Sequence, residues 1–147
     1  MKKLLAVLLL LLLGSAPAWA VLGEHVATVA SDQKYLRGEV RATVQQGYSV
    51  QQITAADQSV VNEYVSPAGM VFGISWRGTV MPNLQLLLGS YYAQFQQAAQ
   101  SRVRRRGPLV LRTDQLVVES GGHLRSFHGR AYVPSLLPRN VSAEVVR

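Results

Sequence analysis

The densest run of reactive side chains lies between residues 115 and 133: Glu119, Ser120, His123, Arg125, Ser126, His128 and Arg130. Carboxylates and imidazoles move protons near neutral pH, and arginine holds anions through paired N–H donors. A two-residue turn at Gly121-Gly122 predicts Ser120 directly opposite His123. That pair comes without an oxyanion hole, an orienting third group or the strand–elbow–helix setting of a hydrolase nucleophile. It reads as a polar hairpin tip. His123 and His128 are an odd number of residues apart, so a regular strand sends them to opposite faces. No third ligand stands nearby and no helical two-histidine motif occurs, so neither a metal nor a cofactor is expected.

Glu63 is the other carboxylate of interest. If the turn Ser66-Pro67-Ala68-Gly69 sets the register, Val65 faces Met70, Glu63 faces Phe72 and Val61 faces Ile74. Glu63 then shares a face with Met70, Phe72, Ile74 and Trp76. A carboxylate there carries a raised pKa or a cationic partner, unless a β-bulge turns it outward. Arg102, Arg104, Arg105 and Arg106 form the largest local charge. They could hold an anionic surface, but read first as a solvated helix C-terminus whose dipole they complement. No aromatic residues interleave with them, so specific nucleic-acid binding is not expected. His25, near the start of the exported chain, is expected to be mobile.

The elements that must position these groups are legible from periodicity. Strands are expected at 40–44, 48–54, 59–65, 70–76, 109–112, 115–120 and 123–133. The segment Met70, Phe72, Ile74, Trp76 alternates at strict period two. Leu84, Leu87, Leu88, Tyr91 and Phe95 recur at helical spacing, predicting one amphipathic helix over 82–101 with Tyr91 and Phe95 in the core and Tyr92 at its edge. A brief helix could run from Ser31 to Gly38. Strands, one long helix and more strands, on short connections, predict an α+β domain. Its antiparallel β-sheet of six or seven strands packs against that helix.

The first twenty residues have a different purpose. Lys2 and Lys3 precede an unbroken apolar run, Leu4–Leu13, and Ala18-Trp19-Ala20 places small residues where a signal peptidase reads them. This is the pattern of a Sec-type signal peptide cleaved after Ala20. It predicts a periplasmic or secreted protein with no transmembrane span in the mature chain. The expected division is a leader at 1–20, one domain at 21–138 and a C-terminal tail at 139–147. Of 147 residues none is cysteine, which excludes disulfides, zinc–thiolate sites and a lipoprotein anchor together. The formal charge is +7 for the whole chain and +5 once Lys2 and Lys3 go with the leader (13 basic against 8 acidic residues), which favours anionic partners.

Three stretches carry a family resemblance. They are Glu63–Gly69 leading to Trp76, then Leu86-Leu87-Leu88-Gly89-Ser90-Tyr91-Tyr92, and then Val118–Arg125 continuing through Phe127, Gly129-Arg130-Ala131 and Val133-Pro134 to Leu137-Pro138. Together they resemble the domain-of-unknown-function family 2844, small exported proteins of Gram-negative bacteria. The resemblance implies export and a single domain, and it brings no activity, cofactor or catalytic residue with it.

The reading that results is a non-catalytic binding or accessory module of the cell envelope. Its partner is an envelope protein or an anionic polymer, held by the 115–133 hairpin. The candidate ligand-binding residues are Glu63, Glu119, His123, Arg125, His128 and Arg130. Two alternatives stand beside it. One is a small hydrolase or lyase of an envelope polymer, pairing Glu63 or Glu119 with His123 or His128. The other is a structural subunit joined through a sheet edge.

Overall fold

The computed structural model describes residues 22–26, 39–101 and 107–147. The expected leader with Ala20, the brief helix expected over 31–38 and the arginines at 102–106 lie outside the described residues. Seven antiparallel strands form one sheet: β1 (Glu39–Gln45), β2 (Tyr48–Thr54), β3 (Val60–Val65), β4 (Val71–Gly78), β5 (Leu109–Arg112), β6 (Val117–His123) and β7 (Ser126–Tyr132). Their spatial order is β1-β2-β3-β4-β7-β6-β5, so β1 and β5 are the edges. Between β4 and β5 runs the helical segment: α1 (Leu84–Leu88), a 3₁₀ turn (Gly89–Tyr91) and α2 (Tyr92–Ser101). The α+β architecture with one helical layer is as the periodicity predicts. The helix is interrupted at Gly89 and starts at Asn83, whose side chain accepts from the amides of Gln85 and Leu86.

Alternation gives the sheet two unlike faces. On the helix face, Val61, Val65, Val71, Ile74, Trp76, Val118, Ala131 and Val133 pack with Leu84, Leu87 and Leu88. Tyr91, Tyr92 and Phe95 are all partly buried against this core. Leu22 joins it at 1% exposure, and residues 22–26 are stitched to β4 by bonds such as Gly23 N–H to the Val71 carbonyl (2.8 Å). His25 is held in this segment, bridged to Met70 with its ring over Gly69, contrary to the expected mobility.

The opposite, groove face is covered over one part only. Tyr64, Phe72 and Val146 form a second buried cluster, flanked by Tyr48, Val50, Tyr132, Leu137, Val141 and Val145. The segment expected to trail as a tail from residue 139 therefore lies on the sheet. Its apolar residues Val141, Val145 and Val146 find an uncovered aromatic patch there, and Val146 is fully buried. Tyr64 Oη donates to the Arg147 backbone oxygen (2.6 Å) and accepts from its amide (3.1 Å), and Ser75 Oγ donates to the same oxygen (2.9 Å).

Two local expectations are corrected. The β3–β4 register carries a bulge: Val65 pairs with Val71 and Tyr64 with Gly73, leaving Phe72 as the extra residue. Phe72 thereby turns to the groove face, away from Ile74 and Trp76, and Glu63 faces Ile74 instead of Phe72. The β6–β7 turn is Leu124-Arg125, so Ser120 faces Gly129 and His123 faces Ser126. Gly121 and Gly122 are strand residues. At Gly122 φ is +118° and a Cβ would collide with the Ser126 carbonyl oxygen, so the glycine serves a close approach inside the ladder.

Candidate functional site

Strand register brings one residue from each of the seven strands into a single row across the groove face. Arg41 faces Gln52, Gln52 faces Asn62, Asn62 faces Ser75, Ser75 faces Arg130, Arg130 faces Glu119 and Glu119 faces Val110. Directly opposed side chains on one sheet face are close enough to bond, and three of these six pairs do. Gln52 Nε2 donates to Asn62 Oδ1 (3.1 Å) and Asn62 Nδ2 to Ser75 Oγ (3.2 Å). Arg130 Nε donates to Glu119 Oε2 (2.9 Å), while Arg112 Nη2 takes the other carboxylate oxygen, Oε1 (2.7 Å). Arg130 Nη1 also reaches the Val146 carbonyl (3.3 Å), tying the row to the C-terminal segment.

Over the β3–β4–β7–β6 part of this row lies a cleft of about 540 Å³. Arg77, Arg130, Arg147, Glu119 and His128 supply its charged and titratable groups, Asn62 and Ser75 its neutral polar ones, and Pro108 and Val110 an apolar rim. Three arginines face one glutamate, so the cleft is basic. Hydrogen bonds from Arg130 and then from Arg112 hold the Glu119 carboxyl below the usual glutamate range, outweighing its partial burial. The same carboxylate raises Arg112. Glu119 is thus an ionised clamp between two guanidiniums, with both oxygens engaged.

The candidate residues separate accordingly. Glu119, His128 and Arg130 converge in the cleft, with His128 exposed and diagonal to Glu119 across adjacent strands. His123 and Arg125 are exposed at the hairpin tip, apart from it, and His123 Nδ1 lies 3.2 Å from the Leu124 carbonyl oxygen. Glu63 is on the other face, buried at 1% exposure in the stretch of β3 that packs under the helix. Glu63 and His128 are consequently on opposite sides of the sheet. Among the described residues, no group of three or more His, Cys, Asp or Glu is placed to hold a metal ion. No helix there is long and apolar enough to cross a membrane.

Sequence reasoning missed Arg41, Gln52, Asn62, Ser75, Arg77 and Arg112. Their polarity at alternate strand positions was the available signal. Aligning them into a row requires the bulged register, in which Asn62 meets Ser75 and not Gly73.

Fold and cleft together define a small α+β protein whose single antiparallel sheet carries a helix on one face and an open basic groove on the other. The chain belongs to the family described as protein of unknown function (DUF2844), whose model matches residues 18–146. No curated protein and no solved structure matches the chain.

Proposed function

We propose that the protein is an exported, non-catalytic binding module of the cell envelope that holds an anionic ligand in the groove-face cleft. The observation that carries this reading is the basic cleft itself, about 540 Å³ with three arginines against one clamped glutamate. Guanidinium groups on a rigid sheet are pre-organised to grip carboxylate or phosphate oxygens through paired donors. The one carboxylate there is held ionised by two arginines, which opposes use as a proton donor near neutral pH. Export rests on the Lys2-Lys3, Leu4–Leu13 and Ala18-Trp19-Ala20 pattern. Cleavage after Ala20 would leave the buried Leu22 in the core.

Calorimetric titration of the mature protein with a uronic acid dimer tests the reading. Binding should weaken with added salt, as screened charge pairs do. Arg77→Ala, an exposed position, and Arg130→Ala should each weaken it several-fold. Binding that ignores both replacements would place the ligand elsewhere.

A further inference from the structure

The cleft does not end at Asn62. On its far side a second depression of about 310 Å³ lies on β1 and β2, lined by Arg41, Thr43, Gln45, Val50, Gln52 and the same Asn62. Asn62 lines both depressions, so they adjoin along the cross-strand row. We propose that this row is one continuous binding site for an acidic polysaccharide, a uronic acid-bearing chain lying across the strands from Arg41 to Arg130.

Three features of the row favour that ligand class. Its ends are cationic, Arg41 at one and Arg130 with Arg77 at the other. Four inter-strand spacings separate Arg41 from Arg130, about 19 Å at roughly 4.8 Å each. A linear polymer carrying carboxylates at intervals can meet both ends at once. Between them stand the neutral amides of Gln52 and Asn62, bonded at 3.1 Å and anchored by Ser75, whose buried hydroxyl accepts from Asn62 at 3.2 Å and donates to the Arg147 backbone oxygen at 2.9 Å. Side chains braced in this way present fixed donors and acceptors to sugar hydroxyls. Nucleic acid would ask for stacking platforms along the strip. The groove-face aromatics Tyr48, Tyr64, Phe72 and Tyr132 are instead gathered in the cluster with Val146.

The proposal rests on the cleft reading above and extends it in length and chemistry. Its test compares a galacturonic acid dimer with a galacturonic acid oligomer long enough to span the row, on the mature protein, Arg41→Ala, Gln52→Ala and Arg77→Ala. Arg41 and Gln52 lie on β1 and β2 at the sheet edge, and a thermal melt of each variant checks that the sheet is intact. The oligomer should bind about tenfold tighter than the dimer, the gain expected from a second engaged subsite. Arg41→Ala should erase that gain and leave dimer affinity within twofold, and Gln52→Ala should reduce the gain by unbracing Asn62. Equal affinity for both lengths, lost in Arg77→Ala but not in Arg41→Ala, would overturn the extended site and retain the cleft. Failure of both uronates to bind would overturn both readings. Single-stranded DNA displacing the oligomer at equal charge concentration would overturn the glycan assignment.

Discussion

Replacing Glu119 with glutamine keeps the shape of the side chain and an acceptor oxygen, but removes the negative charge that Glu119 brings to the cleft. In the native protein that charge engages Arg112 at 2.7 Å and Arg130 at 2.9 Å. An anion reached by Arg130 Nη2, the nitrogen that neither Glu119 nor the Val146 carbonyl takes, would lie about 6 Å from the carboxylate. Their repulsion is about 0.7 kcal/mol at the dielectric of water and about 2.8 kcal/mol at an effective dielectric of 20. Glu119 is 26% exposed and the cleft is open, so the lower part of that range applies. Glu119→Gln should therefore tighten uronate binding by about three- to tenfold, since 1.4 kcal/mol is a factor of ten. The gain should shrink as salt is added. Calorimetric titration gives the affinity, and a parallel thermal melt confirms that the variant is folded. A folded Glu119→Gln protein that binds the uronate more weakly would refute the reasoning, because Glu119 would then contact the ligand favourably. An envelope-polymer hydrolysis activity abolished by the same change would revive the carboxylate–imidazole alternative with His128.

Acid should weaken the Arg112–Glu119–Arg130 clamp. The Glu119 pKa is depressed from an ordinary value near 4.5, so its contribution to stability is complete above that pH and is lost as pH falls through the lower folded value. Wild type should lose that increment in acid melts, and Glu119→Gln should not. Tyr64→Phe removes both hydrogen bonds to Arg147 and should cost about 1–2 kcal/mol in urea denaturation, freeing the C-terminal wall of the cleft. Leu22→Ala empties a buried core position and should cost about 2–5 kcal/mol by the same measurement. At Gly129 a Cβ would collide with the indole of Trp76, so Gly129→Ala should cost about 1–3 kcal/mol and shift tryptophan emission. In a protein begun at residue 21 Trp76 is the one tryptophan, the other being Trp19, which makes that readout specific.

The strands and the helix were legible because each obeys a simple period: two for Ile74 and Trp76, three and four for Leu84, Leu87 and Leu88. What failed was register. The Ser66–Gly69 turn suggested a regular hairpin, whereas Phe72 is extruded to join Tyr64, and no local pattern announces that bulge. Gly121-Gly122 resembled a turn because glycine marks both turns and close backbone approaches, and here the second cause operates. The site suffered most from this. Glu119, His128 and Arg130 were visible as reactive side chains on one hairpin. Their neighbours Asn62 and Ser75 come from strands whose alignment is a tertiary property. The C-terminal residues were short and proline-flanked, so nothing local revealed that Val146 would be buried against Tyr64 and Phe72.

The central claim, an anionic ligand on the groove face, is most directly tested by backbone amide shift mapping of the mature protein during titration with a galacturonic acid oligomer. The account predicts perturbations concentrated at Asn62, Ser75, Arg77, Glu119 and Arg130, extending to Arg41 and Gln52. Perturbations confined to the helix face or to the 123–126 hairpin tip, or none at saturating oligomer, would contradict it.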